Sequence, residues 1–187
     1  AIFEDPDHFN FFAQRAIYWT RESLYESQDS QEKINQRLSY LENLPYMHRE
    51  EGFLFVHGSP RDPINDYVDE SDIHFMEFMK FKEIFSQVET AMFDGHTHVP
   101  CVITEDLTYL RPFQIDNEYE LGKDKVIINV GSVGQPRDGN TKSSYVEVDG
   151  NKIKFHRVRY DFIETMNKIK TTDHLHDTLG IRLLSGT

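Results

Sequence analysis

Phe9, Phe12, Ala13, Ala16 and Ile17 recur at helical spacing, which predicts a helix from Asp7 to about Leu24. A second helix is expected over Gln28 to Asn43. Asp29 stands at its start with Glu32 three residues on, Ile34, Leu38 and Leu41 form its apolar stripe, and Pro45 lies past its end. The period then shortens. Tyr46 to Arg49 and Phe53 to His57 flank "EEG" and read as a hairpin, and the continuous apolar run "FLFV" reads as a strand buried on both faces. Ser71 to about Val88 is predicted helical, with Phe75, Met76, Phe78, Met79, Phe81 and Phe85 as core packing. Thr90 to Phe93 is a short strand running into "DGHTH", and Cys101 to Thr104 with Thr108 to Pro112 is a hairpin. "KVIINV", Lys125 to Val130, is another buried strand, and "DGN" joins strands at Ser144 to Val148 and Lys152 to Val158. After Tyr160 a helix is expected to about Lys170, then irregular chain. Helices first and mostly strands afterwards give an α/β domain built on a sandwich of sheets, one domain over 1–187 with 161–187 as an extension.

Composition narrows the class. Hydrophobic residues make up 38% and aromatics 13% of 187 residues, enough apolar surface for a core. The net charge of −12 argues against binding bulk nucleic acid or an anionic membrane surface, and suits divalent cations. One cysteine, Cys101, allows no internal disulfide, which fits a reducing compartment and makes the cytoplasm the default expectation. No apolar run approaches the ~18–20 residues that span a bilayer. "AIFEDPDHFN" has no basic stretch followed by an apolar one, so it does not read as a signal peptide.

Three strand candidates end in polar loops, "FLFV-HGSP", "AMF-DGHTH" and "VIINV-GSVGQPRDG". If they are parallel neighbours, His57, His96, His98 and the 131–139 loop meet beyond the strand ends, where sites in α/β sheets gather. On an extended backbone residues i and i+2 share a side, so His96 and His98 would present two imidazoles together with Thr97 turned away. Neutral imidazole suits Zn, Fe, Ni, Mn and Cu; the alternative is three satisfied structural histidines. Arg137 reads either as a loop arginine paired with Asp138 or Asp94, or as a bidentate contact to a substrate phosphate. Asp94 reads as a turn residue before Gly95, with a carboxylate beside a metal as the alternative. Cys101 reads as a strand residue rather than a nucleophile. His8, His48, His74, His156, His174 and His176 carry no motif that marks a site.

"FLFVHGSPRDP", "FDGHTHVP" and "IINVGSVGQPRDGN", in this order, resemble the C-terminal part of the calcineurin-like metallophosphoesterases, in the compact branch related to diadenosine tetraphosphatases and protein phosphatases. "FNFFAQRAIYWTRESL" is similar to the segment that follows the GNHD motif there, so the likeness runs from about residue 9 to about 160. The resemblance implies a four-layer α/β/β/α sandwich of two mixed sheets flanked by helices. It also implies a dinuclear hydrolase that splits phosphomonoesters or phosphodiesters by attack of a metal-bound hydroxide. His57 and His96 would ligate one divalent ion and His98 the other, the ions being Mn, Fe, Zn, Ni or Mg. The substrate would be a small phosphate ester, a nucleotide or a phosphoprotein. The family's D-x-H, G-D and G-N-H-D motifs, which supply the bridging aspartate and the general-acid histidine, are not in this sequence. The expectation is that they lie upstream of Ala1, together with several central strands. Asn129-Val130-Gly131-Ser132 stands where the family often has N-P-G-S. Two alternatives remain: a non-catalytic scaffold that kept the fold, and a mononuclear site made by the three histidines alone.

Overall fold

The computed structural model describes residues 3, 5–7 and 9–187; His8 lies outside the described residues. The chain divides into two compact units, Ala1–Pro45 with Asp161–Leu184, and Tyr46–Tyr160 with Ser185–Thr187.

The first unit is helical. Helix α1 (Phe11–Tyr25) starts later than its apolar pattern, because the Asn10 side chain accepts from the Phe12 and Ala13 amides and fixes the start there. Helix α2 (Gln31–Glu42) is capped by Ser30. Asp29, expected as the cap, instead pairs with Arg37 at 2.6 Å. Helix α5 (Phe162–Lys170) forms as expected, and the stretch read as irregular contains a short helix α6 (Thr178–Ile181) followed by a 3-10 turn. No helix among the described residues is long and apolar enough to cross a membrane.

The second unit holds nine strands in two sheets among the described residues. Strands β1 (Met47–Glu50), β2 (Phe53–Val56), β3 (Ala91–Asp94), β4 (Cys101–Thr104), β5 (Tyr109–Leu110) and β7 (Val126–Asn129) form a mixed sheet in the order β1-β2-β3-β7-β4-β5. Strands β6 (Glu118–Glu120), β8 (Ser143–Asp149) and β9 (Lys152–Val158) form the second sheet in the order β6-β9-β8. Successive side chains of the central strands alternate between two cores. Met92, Ile127, Cys101 and Ile103 point to one, shared with Phe81, Ile84 and Phe85. Ala91, Phe93, Val126, Ile128 and Val102 point to the other, shared with Ile153 and Phe155 of the second sheet. A central strand flanked on both faces must be apolar at every position, and "VIIN" is fully buried. "FLFV" was expected to match it but does not. Only Leu54 is buried, because β2 pairs outward with the exposed edge strand β1.

The single helix expected over Ser71 to Val88 is two, α3 (Glu70–His74) and α4 (Phe78–Ser86), broken at Met76 with φ +60°. The break turns Phe75, Met76, Phe78 and Met79 to solvent, and only Phe81, Ile84 and Phe85 of α4 are buried. The expectation that the whole Phe/Met stretch packs the core is therefore corrected to its second half.

Candidate active site

Strands β2, β3 and β7 are adjacent and parallel, so their C-terminal ends lie side by side. The loops that follow are stitched together by the backbone. Gly95 N donates to His57 O at 3.1 Å, and Val130 N donates to Asp94 O at 3.0 Å. Asn129, fully buried at the end of β7, does more than either. Its amide donates to Gly95 O and, at 3.0 Å, to Thr97 Oγ1, while its own oxygen accepts from Gly131 N at 3.0 Å. One side chain thus closes three backbone and side-chain groups around the start of "GHTH".

The H-x-H segment is not extended. His96 and His98 both have left-handed backbones, with φ of 43° and 62°. Non-glycine residues in this region cost about 1–3 kcal/mol and collect at functional sites. The expected same-side placement through an extended strand is replaced by a strained turn, which Asn129 holds from beneath.

That turn brings His57 and His96 together, with ring centroids 4.6 Å apart, edge to face. The Tyr67 ring lies over His96 at 3.9 Å. The Nε2 of His96 is buried without a hydrogen-bond partner. His98 Nδ1 donates to the Gln135 carbonyl at 2.7 Å, which fixes its tautomer with the lone pair on Nε2. A backbone carbonyl on one ring nitrogen is the usual way to orient a metal-ligating imidazole. Burial lowers the pKa of His57. Burial first, then the His57 charge, lowers that of His96. Both rings are thereby held toward the neutral, ligating form.

Arg137 is pinned beside this group. Its amide donates to His98 O at 3.2 Å and its guanidinium to Gln135 Oε1 at 3.0 Å, while its Nε is buried without a partner. Neither expected carboxylate partner takes it, since Asp138 pairs with Arg157. Asp94 is a buried strand residue, not a turn residue. Desolvation raises its carboxyl well above the usual range, and its Oδ1 has no partner. Cys101 is buried in β4 and its thiol is pushed up to about 12, chiefly by burial. A thiol so placed stays protonated and is no nucleophile, as the sequence reading held.

The loop after His57 is tightly folded. Gly58 N donates to Pro63 O at 2.8 Å and Asp66 N to Asp62 O at 3.3 Å. Lys80 reaches from α4, with Nζ 3.2 Å from Asp66 and 3.0 Å from Asp72 and a further bond to the Tyr67 carbonyl. This little-exposed cation ties the loop, and Tyr67 with it, to the helix. A Cβ on Gly58 would lie 2.8 Å from Asp66 O and 2.9 Å from Asp62 O, both backbone atoms that cannot swing aside. Gly58→Ala is therefore expected to cost about 2–3 kcal/mol through overpacking. A shift of the urea midpoint equivalent to less than about 0.5 kcal/mol would contradict this close approach.

Tyr67 and Lys80 escaped sequence reasoning, and Asn129 entered it only as the first residue of Asn129-Val130-Gly131-Ser132. Tyr67 and Lys80 sit in acidic or amphipathic stretches without motif, and only Asn129 carried a signal, a lone polar residue in an apolar strand. Among the described residues, no group of three or more His, Cys, Asp or Glu side chains is arranged to hold an ion. The buried, partnerless Nε2 of His96 and the oriented tautomer of His98 nonetheless suit metal ligands, as part of a larger set.

A scan against models of known protein families gives no match. A metallophosphoesterase from Sphaerobacter thermophilus of known crystal structure is 32% identical in sequence, with a TM-score of 0.69 over 95% of this chain and 70% of that one. The chain belongs to the metallophosphoesterase family. Uncharacterized protein MJ0912 of Methanocaldococcus jannaschii is also 32% identical, over 98% of this chain and 70% of its own length. Hypothetical protein PH1004 from Pyrococcus horikoshii OT3, at 19% identity and a TM-score of 0.64, shares the fold. The mixed six-stranded sheet, the second three-stranded sheet and the flanking helices are consistent with this metallophosphoesterase fold.

Proposed function

We propose that the protein is a metal-dependent phosphoesterase that hydrolyses phosphomonoester or phosphodiester bonds at a dinuclear site. The observation that supports this best is the meeting of neutral His57 and His96 at the parallel strand ends, with the Nε2 of His96 buried and partnerless. His57 and His96 would hold one divalent ion and His98 the other, the ions being drawn from Mn, Fe, Zn, Ni or Mg. Such ions supply a water of lowered pKa and neutralise charge at the phosphoryl oxygens. The chain's own groups bind and orient. The guanidinium of Arg137, with a spare buried N–H beside the histidines, suits a phosphate oxygen. The Asn129 fork and the Gln135 carbonyl keep the imidazoles in place. Carboxylate ligands would come from the family motifs that this sequence does not contain. The substrate would be a small phosphate ester, a nucleotide or a phosphoprotein, met in the cytoplasm. A second reading is a scaffold that kept the fold without catalysis.

Assays of p-nitrophenyl phosphate and bis-p-nitrophenyl phosphate on the full-length protein, with and without Mn²⁺, separate the two. Mn²⁺-dependent turnover of either ester is expected, and the preferred one assigns monoesterase or diesterase. No turnover of either with any of the five ions would leave the scaffold reading.

A further inference from the structure

A pocket of about 250 Å³ is lined by Tyr67, which touches His96, and by Thr97, which lies between His96 and His98 in the chain. Tyr67, Tyr109, Arg111, Asp69, Glu70 and Thr97 line it. Tyr67 belongs to both places, since its ring lies over His96 while the residue remains 49% exposed. Thr97, between His96 and His98, lines the pocket too. A group attached to a phosphate at the histidines would therefore find this pocket next to it.

The walls have a definite chemistry. Tyr67 and Tyr109 offer aromatic surface, and the Arg111 guanidinium sits 6.0 Å from the Tyr109 ring centroid. Burial raises the Tyr109 pKa, so its phenol is neutral. The charge of Arg111 is already answered by Glu70, 2.9 Å away, and Asp69 adds a negative charge with no cation of its own in the lining. The pocket is thus aromatic, planar-walled and slightly acidic. It suits a flat uncharged ring, which stacks on tyrosine and arginine faces. It repels a second phosphate, so a polyphosphate tail would not lodge there.

We propose that this pocket is the leaving-group subsite, and that it takes one planar aromatic ring, aryl or nucleobase, of a phosphate ester with a single phosphoryl group near the histidines. The assignment rests on the phosphoesterase reading and narrows it. Tyr67 is the specificity-determining residue, held in place by Lys80.

The test uses pairs of esters matched in leaving-group reactivity, on the full-length protein with Mn²⁺. Benzyl phosphate is compared with butyl phosphate, and adenosine 5′-monophosphate with ribose 5-phosphate. The ring-bearing member of at least one pair is expected to have a kcat/KM about tenfold higher, the size of one stacking contact. Which pair shows it tells an aryl ring from a nucleobase. In Tyr67→Leu the ratio is expected to fall to about 1–2, whatever happens to the absolute rates. Ratios near one in the wild type, or a wild-type ratio that survives Tyr67→Leu, would overturn the proposal. If no ester is turned over, the phosphoesterase reading fails separately. Saturation transfer from protein to the ring protons of benzyl phosphate and adenosine 5′-monophosphate then decides the subsite. Transfer to either ligand that is lost in Tyr67→Leu supports it, and absent or unchanged transfer overturns it.

Discussion

Asn129→Leu is expected to lower stability by about 2–4 kcal/mol. Leucine has the same heavy-atom branching and is not smaller, so the effect is not a cavity. Leucine leaves Gly95 O, Thr97 Oγ1 and Gly131 N without the partner that Asn129 now gives each. Gly95 O keeps the Thr97 amide and Thr97 Oγ1 keeps Val99 N at 3.3 Å, so the full cost of about 1–3 kcal/mol falls on Gly131 N and only part of it on each of the other two. The release falls on the turn that keeps His96 and His98 at positive φ, so part of the strain stored there relaxes on unfolding. Guanidinium denaturation at unchanged m-value measures it. A loss below about 1 kcal/mol would mean that the turn does not depend on this amide.

His57→Ala is expected to reduce kcat/KM for the preferred p-nitrophenyl ester by about a thousandfold or more, roughly 4 kcal/mol at the transition state. The fold should tolerate the change, with stability within about 1 kcal/mol of wild type. His57 is exposed, and its side chain meets the rest of the site chiefly through the His96 ring. That combination, a large rate loss on an intact fold, separates a ligand from a structural histidine. A structural histidine at this strand end would give the reverse, a stability loss with little change in rate.

How much of this was legible in the sequence can be traced residue by residue. The central strands were, because β3 and β7 are covered on both faces and so must be apolar throughout. The hairpin around "DGN" was, because turn chemistry fixes it locally. The parallel neighbours were conditional on topology, and the sheet order met the condition. The break at Met76 was not, because Phe75, Phe78, Phe81 and Phe85 keep helical apolar spacing across it and periodicity does not record a single left-handed residue. The burial of "FLFV" was overestimated, because apolarity alone cannot tell a central strand from one beside an edge. In the site, the histidines were legible as types and spacing, but their geometry was not. An H-x-H pair reads as extended unless the φ values are known. Tyr67 and Lys80 were illegible, because their roles depend on a folded loop whose residues look merely polar and acidic.

The central claim is that His57, His96 and His98 belong to a two-metal centre. The most direct test is elemental analysis of the full-length protein, as bound divalent metal per chain, beside a His96→Ala, His98→Ala double variant. About two ions per chain in the wild type are expected, falling to less than half an ion in a folded double variant. Metal-free wild type after growth and reconstitution with Mn²⁺, Fe²⁺, Zn²⁺, Ni²⁺ or Mg²⁺, or equal metal in the folded variant, would contradict it.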